Sequence, residues 1–419
     1  MGEGEGAGEP SVKGDAASAP EPGSKARIAN EAGVVSALTR GPRGLRTLLE
    51  FAIRSEQAAL RHPDSIGPLD HLVDDASHHR DDSSVAMLYT SDGRRAIAPP
   101  PPDPPLARIA EAVDDIPLAE PMEHLLRRCV ADAVTTARYW QGMDGRDVVA
   151  ATPPVREALI RVAEHLASSP VVQAWFDDAD PGRQHLTRWD GEEPTTIHDP
   201  PGYEENARRA LLEQRADWDS SLTGGSGIWW TTPSPRLEST TGQFSDGAPM
   251  RLWLEEDDFG YESADAQRIA TTQGRRILEV RSQQDWVDLC RRHPLEPRRG
   301  RRGNWHACTG EAGPWMMPDW SSVAEVADGA HLSLGAYLDL AGRAVPVEGI
   351  TARHTRLGRP RTALTLVAGW HPDATYWFHD PPAPVGDPEP WRFVDTDDGP
   401  DGLEWMRAGD AGGFRTVGS

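Results

Sequence analysis

The residues best suited to chemistry lie in one stretch, from Gly227 to Gly260, which reads GIWWTTPSPRLESTTGQFSDGAPMRLWLEEDDFG. Two apolar segments containing Trp flank a polar loop, and we expect both segments to be strands. The candidate functional side chains of this stretch are Trp229, Trp230, Ser239, Thr240, Thr241, Glu255, Glu256, Asp257 and Asp258. A carboxylate beside other carboxylates has a raised pKa, which suits an acid/base group. The alternative is that one Trp faces the core and the acidic run is a solvated turn.

Arginine residues are concentrated in two short segments of this acidic chain. The first contains Arg291, Arg292, Arg298, Arg299, Arg301 and Arg302, and the second contains Arg353, Arg356, Arg359 and Arg361. A guanidinium group binds phosphate through two parallel hydrogen bonds. The clustering therefore predicts two basic loops that contact an anionic ligand, such as a nucleotide or an RNA backbone. Exposed loops without a ligand are the alternative.

His331 lies in the segment GAHLSL on a predicted strand, where it could act as a base. The other interpretation is a core histidine whose hydrogen bonds are satisfied. His371 and Asp373, in GWHPD, are too few ligands for a metal ion, and the His- and Asp-rich segment after residue 62 lacks the spacing that preorganises ligands. We therefore predict no metal site. The three widely spaced cysteines, without a Cys-x-x-Cys pair, indicate reduced, buried thiols.

Several enzyme classes are excluded by what the chain lacks. It has no H-E-x-x-H, no G-x-S-x-G and no G-x-G-x-x-G after a strand, which argues against metalloproteases, α/β-hydrolases and Rossmann enzymes. Its only lysines are Lys13 and Lys25. P-loop enzymes, protein kinases and pyridoxal enzymes each need a lysine in the folded body, so these classes are excluded as well.

Composition limits the partners and the compartment. The net charge is −23, which argues against nucleic-acid binding over the whole surface, because neutralising phosphates needs a positive face. The sequence contains no apolar run of about 18 residues and no secretory signal, so we expect a cytoplasmic protein without a membrane partner. Eleven of the 15 Trp lie from Trp229 onward, which indicates a ring-rich core or ligand pocket in the second half.

Helical periodicity dominates the first half of the chain. Apolar residues recur at helical spacing from Leu45 to Ile53, over residues 122–140, and from Val155 to Leu166 after two prolines. A fourth, more charged helix is predicted from Glu204 to Ala216. Residues 1–40 are rich in Gly, Pro and acidic side chains, so we expect a disordered tail, and a Pro- and Asp-rich linker is predicted at 62–105.

The periodicity changes to that of strands after the glycines at residues 224–227. Strands are predicted at Met250–Leu254, Ile277–Val280, Ala330–Leu334, Leu364–Ala368 and Thr375–Phe378. Two helices are predicted between them, with Ser282 and Asp319 as N-caps. The chain is therefore expected to be an α+β protein, with a helical region at 41–222, an α+β domain carrying the site at 223–382, and an acidic tail at 383–419.

The Trp-containing first strand with its following Thr, the Ser-Thr-Thr triplet and the paired Glu together resemble the ADP-ribosyltransferase superfamily over residues 223–382. In that family a Ser-Thr-Ser strand supports the NAD site, aromatic rings hold nicotinamide, and a Glu grips the ribose. The resemblance implies a catalytic role for Glu255 or Glu256 and NAD contacts from Trp229, Trp230, Thr231, Ser239 and Thr240. Independently of the resemblance, His331 is the candidate base, and Arg298 and Arg301 are the candidate contacts to the phosphates of NAD. The segments DWSSVAEVADGAHLSLGAYL and VAGWHPDATYWF also resemble actinobacterial proteins.

Two functional hypotheses follow. The first is an enzyme that binds NAD and transfers or hydrolyses ADP-ribose, with a Glu stabilising the oxocarbenium-like ribose. The family places an Arg or His on its first strand, and GIWWTT contains neither. The second hypothesis is therefore a binding protein without catalysis, which docks a protein or an RNA through a Trp-rich face and the Arg loops.

Overall fold

Helices and one large mixed sheet make up the fold, which confirms the α+β class. The computed structural model describes residues 30–60, 67–80, 87–89, 95–97, 102–191, 202–216, 228–258, 260–297, 299–353, 360–396, 402–411 and 415–416.

The α-helices of these described segments lie mainly in the first half of the chain. They are α1 (Glu31–Arg40), α2 (Pro42–Ala59), α3 (Pro68–His78), α4 (Leu106–Asp115), α5 (Glu123–Thr135), α6 (Gly145–Ala151), α7 (Pro153–Ala167), α8 (Pro170–Ala174), α9 (Tyr203–Ala216), α10 (Gln283–Arg292), α11 (Arg299–Thr309), α12 (Trp320–Val323) and α13 (Leu334–Leu340). None of these helices is both long enough and apolar enough to cross a membrane.

The strands lie mainly in the second half. They are β1 (Met87–Tyr89), β2 (Arg95–Ile97), β3 (His185–Trp189), β4 (Ser239–Thr241), β5 (Ser263–Ile269), β6 (Ile277–Val280), β7 (Pro294–Leu295), β8 (Met317–Pro318), β9 (Gly329–Leu332), β10 (Val345–Arg353), β11 (Pro360–Thr365), β12 (Ala374–Trp377), β13 (Pro384–Asp395), β14 (Leu403–Arg407) and β15 (Arg415–Thr416).

Local signals explain where the main helices begin. Proline stands at the start of α2 and α7, where its fixed backbone angle suits a helix and its missing N–H costs no bond. The Ser282 and Asp319 side chains accept hydrogen bonds from the first turns of α10 and α12. The predicted helices around α2, α5, α7, α9, α10 and α12 are therefore confirmed.

The large sheet has the strand order β14-β13-β5-β3-β4-β12-β9-β6, with β15 also paired to β13. Only β6 and β9 run parallel, whereas the other pairs of this sheet are antiparallel. Most of the predicted strands are confirmed, because β6, β9, β11 and β12 lie at or within a few residues of the expected positions.

The register of β12 assigns the site residues to two faces of the sheet. Tyr376 pairs with Ser239 of β4, whereas Thr375 pairs with Thr240 of β4 and with His331 of β9. Successive side chains of a strand point to opposite faces. We call the two sides the Ser239 face and the Thr240 face, and His331 lies on the Thr240 face.

The stretch from Gly227 to Gly260 differs locally from its prediction. Residues 250–252 form a 3₁₀ turn instead of a strand, and residues 228–230 form neither helix nor strand. Ser239–Thr241 was expected in a loop but is the strand β4. The alternation around Leu252 misled the prediction because Leu252, Trp253 and Leu254 are all buried, so their burial does not follow the period of a strand.

Both predicted tails and the predicted linker contain regular structure, which corrects those expectations. Helix α1 lies within 1–40 and buries Val34 and Leu38, and α3 lies within 62–105. Residues 383–419 contribute β13, β14 and β15 to the large sheet. Composition was misleading here, because a few apolar residues at the right spacing are enough to bury one face of an element.

The predicted boundary near residue 222 also does not separate two cores. Strand β3, from the first half, lies between β4 and β5 of the second half. Helix α13 packs against α1 and α2, and Arg40 pairs with Asp339 across that contact. The buried apolar residues of the described segments form one continuous cluster. The two halves therefore share a core.

Replacing Trp391 tests whether the C-terminal strands belong to this core. Trp391 is 2% exposed on β13 and packs edge-to-face against Trp253. We expect Trp391→Ala to lower the unfolding free energy by about 3–5 kcal/mol, because it leaves a cavity. Urea denaturation followed by circular dichroism measures this. Leu403→Ala, at a half-exposed position of β14, is the control, and equal small losses for both variants would restore the tail interpretation.

Candidate functional site

A polar cluster on the Ser239 face brings together four side chains from three segments. Arg251, in the 3₁₀ turn, donates from Nε to Glu255 Oε2 at 2.9 Å and from Nη1 to Ser239 Oγ at 3.5 Å. His371 Nδ1 lies 3.4 Å from the same Glu255 oxygen. The turn produces this geometry because Arg251 and Glu255 are four residues apart and their side chains meet.

The cluster is shielded but not closed to solvent. The side chains of Arg251, Glu255 and His371 are 14%, 12% and 14% exposed. All three side chains therefore keep a small solvent-accessible fraction, while the surrounding protein keeps their mutual interactions stronger than they would be in water.

Two charges define the electrostatics of the cluster. Burial alone would raise the pKa of Glu255, but the positive charge of Arg251 holds that pKa below its ordinary value. Burial lowers the pKa of His371 to about 4. At neutral pH the cluster therefore combines an anionic Glu255, a cationic Arg251 and a neutral His371. A carboxylate fixed in this way can stabilise positive charge on a neighbouring atom.

Trp229 and Trp230 lie beside the segment that carries His371. Both residues are partly exposed, and their rings pack edge-to-face with centroids 6.2 Å apart. Gly369, at φ +74°, has no side chain, and a Cβ there would lie 2.5 Å from Trp230 Cβ. The absence of a side chain at Gly369 therefore allows Trp230 to pack against the backbone at this position, which is two residues before His371 in the chain.

Thr231 anchors this loop and has no exposed surface. Its N–H donates to Ala368 O at 2.9 Å, and its Oγ1 accepts from Ala368 N–H at 3.0 Å. The Trp320 indole N–H also donates to Thr231 O. Because Thr231 is 0% exposed, the expectation that it contacts a cofactor is corrected to a role in holding the Trp pair.

Glu256 points away from Glu255 into a different environment. It is buried close to the hydroxyls of Tyr337 and Tyr139 and to the Gly369 backbone. Burial raises its pKa to about 8, against the opposing influence of the nearby Tyr337 and Tyr139 hydroxyls and of Arg43. Glu256 is therefore protonated at neutral pH. Of the two Glu, only Glu255 belongs to the polar cluster.

His331 is held between two carboxylates on the Thr240 face. Its Nδ1 lies 2.6 Å from Glu279 Oε2, and its Nε2 lies 3.3 Å from Asp373 Oδ1. Burial would lower its pKa, but Glu279 and Asp373 raise that pKa to about 10. A protonated imidazole cannot accept a proton at neutral pH. The expectation that His331 serves as the base beside Glu255 is therefore wrong, because the two lie on opposite faces of the sheet.

Asp373 connects His331 to a surface cavity. Its Oδ2 accepts the Gly242 N–H at 2.8 Å, and its backbone has a positive φ of 57°. The cavity that it lines has a volume of about 750 Å³. Asp177 and Asp178 also line this cavity, and burial raises the pKa of each.

The remaining predicted NAD contacts are distributed differently from the expectation. Thr240 is 1% exposed and bonds to Gln184 and to the Trp377 indole on the Thr240 face. Arg301 is 1% exposed within α11, so that part of the first basic segment is a helix with a buried arginine and not a basic loop. Both expectations are corrected. Arg298 lies outside the described residues, as do Arg356 and Arg359.

The predicted Trp-rich docking face is mostly core. Eleven described Trp residues are buried, and they are Trp175, Trp189, Trp253, Trp286, Trp305, Trp315, Trp320, Trp370, Trp377, Trp391 and Trp405. Trp229 and Trp230 are partly exposed, and Trp140 is 44% exposed. The concentration of Trp toward the C-terminus therefore reflects packing of the core, which is one of the two interpretations of the Trp distribution in the sequence.

The sequence predictions assign no role in this cluster to Arg251 or His371. Arg251 falls within the predicted strand Met250–Leu254, and His371 is considered only as a metal ligand. The spacing of Arg251 and Glu255, four residues apart, would have indicated their pairing if a helical turn had been considered. The approach of His371 had no local signal, because it depends on the pairing of β12 with β4.

Comparison with protein-family models, curated proteins and solved structures gave no match to this chain. Across the described segments, no group of three or more His, Cys, Asp or Glu side chains is arranged to hold a metal ion. Cys129, Cys290 and Cys308 are buried and form no disulfide with one another, as their spacing predicted.

Substituting Glu256 tests its protonation. Between pH 4.5 and 8 the unfolded chain ionises this group while the folded chain keeps it protonated, so folding stability falls as pH rises. The slope approaches about 1.4 kcal/mol per pH unit. Because Gln has no proton to lose, we expect the unfolding free energy of Glu256→Gln, relative to the unsubstituted protein, to increase from pH 5 to pH 8.

Urea denaturation at the two pH values measures this difference. Glu262→Gln, at an exposed position, is the control and should show no such increase. A relative stability of Glu256→Gln that is the same at both pH values would contradict a neutral Glu256.

Proposed function

We propose that the Ser239 face binds NAD and that its polar cluster transfers or hydrolyses the ADP-ribose part. The observation that carries this proposal is the contact of Arg251 with both Ser239 and Glu255. An Arg or His, a Ser on a Ser-Thr strand and a Glu are the elements of the family that the sequence resembles. The first-strand position lacks the cation, and Arg251 supplies one beside Ser239 from a different position in the chain.

The proposed chemistry uses the fixed charge of Glu255. The bond between ribose C1′ and the nicotinamide nitrogen breaks, and its electron pair leaves with nicotinamide, whose ring becomes neutral. The ribose then carries positive charge, which an anionic carboxylate nearby stabilises. An oxygen of water or of an acceptor bonds to C1′, and its proton passes to the neutral imidazole of His371 or to solvent.

The Trp pair supports the same assignment. Trp229 and Trp230 are partly exposed residues, unlike the buried Trp residues of the core. A flat cationic ring such as nicotinamide binds well against an indole face. Trp230 packs beside Gly369, two residues before His371, which supports assigning the Trp pair and the cluster to one ligand.

The docking alternative is less well supported. It requires a surface rich in exposed Trp and basic loops, whereas most described Trp are buried and Arg301 lies inside a helix. Aromatic anchors of a docking surface must be accessible before the partner binds. We therefore favour the enzymatic proposal.

Nicotinamide release tests the proposal. The protein is incubated with NAD, and free nicotinamide is followed by chromatography. We expect Glu255→Gln to reduce the release rate about 10²–10³-fold, because the amide keeps a hydrogen bond to Arg251 but removes the charge that stabilises the transition state. Glu262→Gln removes an exposed carboxylate immediately before β5 and should release nicotinamide at the unsubstituted rate.

Circular dichroism and thermal unfolding must show that Glu255→Gln is folded. Absence of nicotinamide release by the unsubstituted protein would reject the enzymatic proposal, and absence of a thermal shift on adding NAD would reject the binding of NAD. Equal rates for the two variants would remove Glu255 from the mechanism.

A further inference from the structure

A second concave region on the Ser239 face is lined by basic side chains. It has a volume of about 460 Å³ and lies at the junction of β3, β5, β13 and β14. Its lining includes Arg183, His185, Arg268 and Arg407. In a chain with a net charge of −23, three guanidinium groups around one pocket are an unusual local arrangement.

Strand pairing places this pocket next to the polar cluster. His185 of β3 pairs with Thr241 of β4 on one side and with Arg268 of β5 on the other. Paired residues share a face, and Thr241 shares its face with Ser239, two residues earlier on β4. His185 and Arg268 therefore lie on the Ser239 face. His185 is on β3, next to the strand that carries Ser239, and Arg268 is on β5, one strand further away.

His185 contributes a buried polar atom to the lining of the pocket. Its side chain lines the pocket, the residue is only 7% exposed, and its Nδ1 has no hydrogen-bond partner among the described residues. A buried polar atom without a partner costs free energy, so native structures rarely leave one unsatisfied. A ligand in the pocket would satisfy this nitrogen.

The acidic groups of the pocket do not neutralise it. Asp387 and Glu389 also belong to its lining, and Arg407 Nε donates to Glu389 Oε1 at 2.9 Å. Arg183 donates to the backbone oxygen of Phe244. Among the described residues, neither Arg183 nor Arg268 has a carboxylate within ion-pairing distance. Two cations therefore remain available to an anion.

We propose that this pocket binds the diphosphate of a nucleotide ligand, with Arg183 and Arg268 as its charged contacts and His185 as a hydrogen-bonding contact. Guanidinium groups recognise phosphate oxygens through paired, charge-assisted hydrogen bonds. Naming NAD as the nucleotide rests on the proposed function, because only the adjacent cluster selects nicotinamide. The affinity for diphosphate itself does not depend on that chemistry.

Calorimetric titration with inorganic pyrophosphate at low ionic strength tests the site directly. We expect binding by the unsubstituted protein, and an affinity at least about tenfold lower for Arg268→Gln and for Arg183→Gln, since each loses a charged hydrogen bond. Arg188→Gln is the matched control. Arg188 is an exposed arginine between His185 and Trp189 on β3, and its side chain points to the Thr240 face. That variant removes the same charge and should bind pyrophosphate normally.

The outcomes separate this inference from the proposed function. Pyrophosphate binding that Arg268→Gln weakens, in a protein that releases no nicotinamide, supports the diphosphate site and rejects the enzymatic proposal. If the protein releases nicotinamide, Glu255→Gln abolishes that release, and pyrophosphate does not bind, the enzymatic proposal is supported and the diphosphate site is rejected. Equal weakening by Arg268→Gln and Arg188→Gln would overturn the inference, because it would show a general charge effect. Binding of a single-stranded RNA oligonucleotide in preference to pyrophosphate would also overturn it.

Discussion

The position of β12 between β4 and β9 is the constraint on which the candidate site depends. Its register puts Tyr376 opposite Ser239 and Thr375 opposite both Thr240 and His331. A shift by one residue would exchange the side chains of the two faces. Asp373 opposes such a shift because its carboxylate contacts Gly242 after β4 and His331 on β9. The side chain thereby ties the beginning of β12 to both neighbouring strands.

Glu255 and Glu256 show how strongly the environment, and not the residue type, sets the charge. Both are largely withdrawn from solvent, and burial acts on both in the same direction. Glu255 remains anionic because Arg251 bonds to it directly, whereas Glu256 has no bonded cation and is neutral. Two adjacent carboxyl groups with opposite pKa shifts are a common way for one protein to provide groups of different protonation at one pH. Here they occupy separate clusters, so only one serves the site.

Elements with strong local signals could be predicted from the sequence, and elements that depend on partners could not. Ser282 with Asp285, and the prolines before Val155, gave α10 and α7 their correct starts. Strand β13 lies in a segment of Pro, Asp and Glu, and it is ordered only because β5 and β14 flank it. The candidate site divides in the same way. Glu255 and Ser239 could be identified from composition, but their contact through Arg251 arises from a turn that the alternating pattern concealed.

The insertion of β3 between β4 and β5 has a consequence for synthesis of the chain on the ribosome. Strand β3 leaves the ribosome before either neighbour exists, so its hydrogen-bonding edges have no partners in the sheet until residues 239–269 have followed. The outer strands wait longer still, because β13 and β14 complete the sheet only near the C-terminus. Sheets with such long sequence separations fold slowly, since distant segments must meet before their contacts stabilise one another. The nascent chain therefore carries an open strand edge from the synthesis of β3 until β13 has followed, and chaperones protect surfaces of this kind from aggregation.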